Sequence, residues 1–419
     1  DLNMEKRKDR ISVRILLCLF AFGSVGMALI TNTQGLFYAT VSEALGITRS
    51  ALSLYYSIQS LACMITLFFA GNIISKYKNR LNIIIFIMVL MQSAGYLLFS
   101  RANSLATFII VGVFLGIGSA FSTHLLVGIL VNNWFRKRNG FVLGLFSALA
   151  SATGAVLFPK LAVLVAADWR NAYFVLAMLI LGLFPFAIIL KYSPDMVGLK
   201  PYGADDSAVI QLATVPVDSS GVPHKVAVKS FAFWLCILME FCCIGWSCFS
   251  GIIPGFVGSL GYDPYVIGTM ASTYLIGAII GKLLGGWLND KLGLVRGLLV
   301  VVICGIAGPI IWSLFAATSS TILYFGGIFY GIGMGAAGVF PPVLVRECFG
   351  NMDYAKIWSN VSTAIWVASM IIIPVYNLSY DVTGSYIPGL FLAIAVFILG
   401  FIFTVLALKT SKKLERVDA

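Results

Sequence analysis

The chain has 419 residues, 60% of them hydrophobic and 11% charged, with a mean hydropathy of +0.97. A water-soluble fold of this length cannot bury that much apolar surface, so a soluble globular protein is excluded. The formal charge of +11 has no basic soluble domain to carry it, which argues against nucleic acid as a partner.

An apolar run of about 20 residues crosses a bilayer as a helix. In chain order such spans are expected at 14–40, 50–75, 81–100, 104–132, 138–165 and 169–191. Six more are expected at 229–258, 264–289, 296–317, 320–348, 354–379 and 386–408. The runs are long and continuous, unlike the short alternating strands of a membrane barrel. Between the two sets, residues 192–228 carry Pro194, Pro201, Pro216 and Pro223 among Gly, Ser and Asp. That composition suits a linker. The expected organisation is a six-helix bundle over 1–191, a linker over 192–228 and a second six-helix bundle over 229–419.

Basic residues set the orientation. With the N-terminus cytoplasmic, 23 of the 28 Lys and Arg fall on cytoplasmic ends and loops. The outer side keeps Arg49, Arg101, Lys160 and Arg170, and Lys282 lies inside a span. This asymmetry places both termini in the cytoplasm and the chain in the cytoplasmic (inner) membrane. The basic start and long first run read as a retained first helix rather than a cleaved signal. The eight cysteines all lie in apolar runs and read as small core residues, with no metal-ligand spacing. No phosphate-cradling loop is present, so direct ATP drive is not expected. No cofactor, metal or catalytic constellation is expected.

Two landmarks repeat. Gly71-Asn-Ile-Ile-Ser75-Lys76 is matched by Gly286-Trp-Leu-Asn-Asp290-Lys291, an offset of 286 − 71 = 215. Trp134-Phe135 through Asn139-Gly140 is matched by Cys348-Phe349 through Asp353-Tyr354, an offset of 349 − 135 = 214. A parallel repeat of this size is an architecture of alternating-access transporters.

These strings resemble a known family. Gly286-x-x-x-Asp290-Lys291-x-Gly293-x-x-Arg296 is similar to the conserved loop of the major facilitator superfamily, with Ser75 replacing the usual Asp in the first copy. Asn133-Trp134-Phe135 through Gly144 resembles a stretch of bacterial oxalate/formate antiporters and monocarboxylate porters. So do Asp168-Trp169-Arg170, Pro194 through Gly203, Arg346-Glu347-x-Phe349-Gly350 and Asp381-x-Thr383-Gly384-Ser385-Tyr386. The resemblance implies an all-α membrane protein of twelve helices in two pseudo-symmetric six-helix bundles, the major facilitator fold.

The loop string has a mechanical reading. Gly286 would let two helices approach closely. Asp290, at a helix C-terminus that disfavours a carboxylate, would join Lys291 and Arg296 in a gating charge cluster. The alternative is a plain topology anchor.

Charges inside the bilayer carry the substrate argument, because each is costly unless it faces water or a partner. Lys282 lies eight residues before Asp290, about 12 Å inside the cytoplasmic end at about 1.5 Å per residue. In the resembled porters an arginine at this spacing binds substrate carboxylate, and Lys282 matches it. The alternative is a lysine snorkelling to the surface. Glu240 is the second charge. It lies as far before Gly261 (261 − 240 = 21) as Lys282 lies after it (282 − 261 = 21). A hairpin of the seventh and eighth spans around that glycine would put the two charges at similar depth. They could then pair and couple two events; the alternatives are a static ion pair or a Glu near the cytoplasmic surface. His124 is a candidate proton switch or a neutral cavity-lining group.

Asn32, Gln34, Tyr55 and Gln59 are polar for membrane spans and are expected to line a cavity with Trp358, Asn360 and Trp246. The resembled oxalate antiporters carry a second cavity lysine where this chain has Asn360, Val361 and Ser362. One basic residue suits a monocarboxylate. The expectation is a monomeric porter for a small organic anion, coupled to protons or exchanging anions within the lipid bilayer. An exporter of amphipathic drugs and a transporter-like sensor are the alternatives.

Overall fold

The computed structural model describes residues 13–135, 139–199, 201–202 and 221–416. The basic residues ahead of Arg14, those at 136–138, and the central linker with Pro216 lie outside the described residues.

Among the described residues, twelve helices are long and apolar enough to cross a membrane. They are α1 Val13–Leu36, α2 Arg49–Lys76, α3 Lys78–Ser100, α4 Leu105–Trp134, α5 Asn139–Ala167 and α6 Trp169–Ile189. The second set is α7 Phe231–Gly251, α8 Pro264–Leu292, α9 Leu294–Phe315, α10 Ser320–Phe349, α11 Tyr354–Thr383 and α12 Ile387–Ser411. Each expected span is present. Helices dominate because lipid offers no hydrogen bonds, so each span must satisfy its own backbone. Among the described residues there are only isolated bridges, at Phe135 with Tyr202 and Gly221 with Gly350, and no strand.

Helix starts are set by side-chain caps. Asp168 accepts the N–H of Arg170 and Asn171 at 3.0 and 3.2 Å, and Asp263 accepts those of Tyr265 and Val266 at 2.8 and 3.1 Å. Ser230 and Ser319 cap α7 and α10 in the same way. Each satisfies donors that a helix start leaves without a partner. The Asp168-Trp169-Arg170 string is thus structural. Arg170 also reaches Ser100 O at 3.2 Å and Asn103 Oδ1 at 2.7 Å, fixing α6 to the loop after α3.

The repeat is visible in the helix boundaries. Helix α4 starts at Leu105 and α10 at Ser320, and 320 − 105 = 215. Trp134 and Phe349 end them with the same offset. The 3₁₀ turns Gln34–Leu36 and Phe249–Gly251 also correspond, each followed by a short helix, Tyr38–Leu45 and Ile253–Ser259.

Contacts divide the chain into two compact units. The first holds the described residues up to Thr40, then Ile58–Leu157, and those from Leu164 to the start of the linker. The second holds Val41–Ser57, Phe158–Val163 and the described residues from Gly221 onward. Helix α2 is therefore shared, with Arg49–Ser57 in the second unit. In the first unit α3 packs on α4 and α6, and Phe37, Phe99, Phe108 and Tyr173 form an aromatic core. In the second, α8 packs on α10, α9 on α10 and α7 on α12. Its core holds Trp246, stacked on Phe397 at 4.4 Å.

Both linker ends are anchored. Tyr202 donates its N–H to Trp134 O at 2.8 Å, and the Trp134 ring N–H reaches Lys191 O at 3.2 Å. At the far end Val222 donates to Phe349 O at 2.8 Å.

Candidate functional site

Small residues bring helices to backbone contact in both units, and one such crossing is repeated between them. In the first, a Cβ at Gly116 of α4 would collide with Gln59 O of α2. In the second, a Cβ at Gly331 of α10 would collide with Tyr274 O of α8. Both residues of the second contact stand at the repeat offset from those of the first. There the contact continues. Gly277 meets Ile328 O, Gly281 meets Ile332 O, and Gly335 meets Gly281 and the Lys282 nitrogen. Bare backbone on both sides allows α8 and α10 to lie closer than side chains permit.

Lys282 follows the last of these α8 glycines. Its Cε lies 3.8 Å from where a Cβ on Gly338 of α10 would stand. Helix α10 is interrupted at this level. The Gly335 N–H is shared between Gly331 O at 3.3 Å and Ile332 O at 3.1 Å, and the next segment runs Ala336–Phe349. Pro341 and Pro342 remove two further donors inside that segment. The lysine thus lies beside a stretch of α10 with a loosened hydrogen-bond ladder.

Glu240 is 1% exposed, and its Oε2 has no hydrogen-bond partner among the described residues. Helix α7 packs chiefly on α12 and α11, whereas α8 packs chiefly on α10 and α9. Equal depth along a hairpin did not make these helices lateral neighbours.

His124 lies in a wide π-turn, Ala120–Leu125, within α4. Ser119, Ser122 and Thr123 each donate a hydroxyl to a carbonyl on the preceding turn, at 3.0, 2.9 and 2.7 Å. Such back-bonding competes with the helical ladder, and π-turns recur at functional positions. Gln92 was not singled out from the sequence. It is fully buried in α3 and accepts the Ser122 hydroxyl at 3.1 Å. A lone glutamine in an apolar span was the available signal.

The other expected site residues are dispersed. Gln34 donates to Ile30 O of its own helix at 2.6 Å, and Asn32 is half-buried at the break in α1. Tyr55 and Gln59 are buried, Tyr55 in the second unit and Gln59 in the first. Trp358 is half-buried, and Asn360 is exposed, its amide 2.9 Å from Nε2 of His224 in the linker. Trp246 is fully buried, donating to Tyr330 O at 3.3 Å, and so is a core residue rather than a cavity wall. Among the gating residues, a Cβ on Gly286 would meet nothing within 4 Å. The close approach expected there falls instead at Gly281 and Gly277. Asp290, Lys291 and Arg296 are exposed.

Among the described residues, twelve helices long and apolar enough to cross a membrane, arranged in two repeats, are the architecture of a polytopic membrane protein. The profile of the Major Facilitator Superfamily matches residues 19–244 and 235–419, and the chain belongs to that family. It is 24% identical over 373 residues to the probable sulfoacetate transporter SauU of Cupriavidus necator, covering 83% of this chain and 82% of that one. The crystal structure of the nucleoside transporter NupG superposes with a TM-score of 0.73 at 12% identity, covering 97% of this chain and 100% of that chain. That of a D-xylose-proton symporter superposes with a TM-score of 0.69 at 14% identity, covering 96% and 97%.

Proposed function

We propose that the chain moves a small organic anion, a monocarboxylate in the first instance, across the cytoplasmic membrane by alternating access. The drive is proton symport or anion exchange. The six-helix bundles 1–191 and 229–419 are the moving parts, the linker 192–228 and both termini are cytoplasmic, and the monomer is the working unit. The observation that carries this reading is Lys282, a cation inside a span beside the interrupted stretch of α10. A cation held in a membrane helix is retained where it serves an ion pathway. A relative named for sulfoacetate, itself a small organic anion, supports the same substrate class.

In this reading Lys282 holds the anionic group. Glu240 and His124 are the candidate proton carriers, and Gln59, Tyr55, Asn32, Gln34 and Trp358 are candidate supporting polar contacts. Asp290, Lys291 and Arg296 with Gly286 are the candidate gating elements.

The test is flux through purified protein in liposomes. Short carboxylates and sulfoacetate are offered with and without an imposed proton gradient. Lys282→Ala is expected to cut uptake about a hundredfold, the equivalent of about 3 kcal/mol of lost ionic hydrogen bonding. Lys412→Ala, at an exposed lysine, leaves uptake unchanged. Uptake that survives Lys282→Ala removes the main support for an anion substrate. Flux of amphipathic drugs in place of acids would turn the reading toward export.

A further inference from the structure

Helix α2 caps itself only in part, through Thr48 at the Ala51 N–H. The Asp381 carboxylate, near the end of α11, accepts the backbone N–H of Arg49 at 3.3 Å and of Ser50 at 2.9 Å. These are the first residues of α2, where N–H groups lack helical acceptors and the helix dipole favours negative charge. The Arg49 guanidinium lies 4.2 Å above the Tyr380 ring and 5.6 Å from the Tyr386 ring, and the two rings stack at 4.3 Å. Its Nη2 holds Glu43 at 3.1 Å. A Cβ on Gly255 would collide with the Tyr386 hydroxyl, so the cluster closes against bare backbone. Farther along α2, Ser57 donates to Met370 O at 2.6 Å and extends the seam with α11. All of these residues belong to the second compact unit.

The corresponding place in the second repeat is built differently. Helix α8 is capped by Asp263, the residue just before it. Thr48 is the repeat equivalent of Asp263 and reaches only the Ala51 N–H among the α2 amides, at 3.2 Å. Ala166 is the repeat equivalent of Asp381 and has no carboxylate to offer. One helix owns all of its side-chain cap; the other owns the Thr48 bond and borrows the rest from Asp381. An owned cap persists in any arrangement of the helices. A borrowed cap is lost when the two helices part, and the freed N–H groups and guanidinium then turn to water, which keeps the cost of parting modest.

We propose that Asp381, Arg49, Tyr380 and Tyr386 form a detachable latch at the membrane face opposite the linker, joining α2 to α11 in one state of the transport cycle and releasing them in another. The proposal rests on the alternating-access reading above. It also gives the Asp381-x-Thr383-Gly384-Ser385-Tyr386 string a role. Asp381 is the cap acceptor, Gly384 at φ 67° reverses the chain, and Tyr386 returns over Arg49.

The test uses purified protein in lipid nanodiscs with one added thiol, Ser57→Cys, on the buried seam. Its labelling by a water-soluble maleimide is timed, and the parent without the added thiol gives the background. Asp381→Ala is expected to speed labelling about tenfold by shifting the population toward the parted state. Asp263→Ala removes a similar cap from α8 and is expected to change it less than about twofold, since that cap is local. Equal acceleration by both, or none from Asp381→Ala, overturns the latch. Should Asp381→Ala fail to fold, Asp381→Asn keeps an acceptor without the charge and is expected to give a smaller rise, with no rise counting against the proposal.

A second arm bridges Ser50→Cys to Asp381→Cys with a short dithiol-specific cross-linker. Any acid the parent carries should stop moving and resume on reduction. Transport by the bridged protein overturns the latch. A parent that carries no acid sinks the substrate reading alone, and the labelling comparison still decides the latch.

Discussion

The first and second repeats share their helix boundaries to within a few residues, yet they differ where chemistry is concentrated. At the repeat offset Lys282 corresponds to Leu67, Glu240 to Val25 and Asp290 to Ser75. His124, in turn, corresponds to Val339. The crossing Gly116 on α2 has its counterpart at Gly331 on α8, but only the second crossing continues through Gly281 and Gly335, against Thr66 and Ala120 in the first. Shared features set the scaffold. The unshared ones put charge in the second repeat and a histidine in the first.

The largest expected effect lies at the crossing. Gly335→Val forces a side chain into the Gly281–Lys282 backbone, for a cost of about 3 kcal/mol or more, at the upper end for overpacking. Thermal unfolding of the purified protein should show a marked fall in stability. Ala120→Val, at the matching place, is expected to cost less than half as much. Equal losses would mean that the second crossing is no tighter than the first.

A smaller effect is expected at Glu240. In Glu240→Gln the proton-driven part of uptake should fall to the level seen without a gradient, while exchange of labelled for unlabelled anion continues. Val25→Ala, at the matching position, should leave both intact. If gradient-driven uptake survives in Glu240→Gln, the carboxyl is a packing group.

The smallest effect concerns the two anchored ends of the linker. At the second end the Asp353 carboxylate accepts the His224 N–H at 2.9 Å and holds Lys356 at 3.1 Å. The His224 N–H and then the Lys356 ammonium hold the Asp353 carboxyl below its usual range. A lowered value means that this anchoring is present above the ordinary carboxylate range and is lost as pH falls through the lowered value. Asp353→Asn should therefore speed amide exchange at His224 about threefold at neutral pH, in line with a lost cap. The difference from the parent should vanish in strong acid. Exchange at Tyr202, at the other end, should not respond.

Much of the architecture was legible before any fold was known. Spans, linker and repeat follow from apolar runs and punctuation. The Asp168-Trp169-Arg170 string proved legible as a landmark, although its role in capping α6 and gripping Ser100 and Asn103 was not. Lys282 stood out as a charge in an apolar run. Its depth matches that of Glu240, yet depth along two helices says nothing of which helices lie side by side, and α7 packs on α12 and α11 while α8 packs on α10 and α9. Trp246 and Asn360 were assigned together to a cavity, yet one is sealed among aromatic rings and the other is tied to His224. Gln92, the one glutamine in α3, is not legible as a contact residue along the chain because its partner Ser122 lies on another helix.

The sequence by itself determined how many times the chain crosses the membrane, where it repeats and which residues are charged inside the spans. In lipid every helix must close its own backbone hydrogen bonds, so this information is local and can be read along the chain. Only the tertiary structure decided that α8 meets α10 through four glycines, that α7 turns to α12, and that α2 takes part of its cap from a carboxylate near the end of α11. Those outcomes depend on which helix faces are brought together, and side-chain contact across helices leaves no period in the sequence.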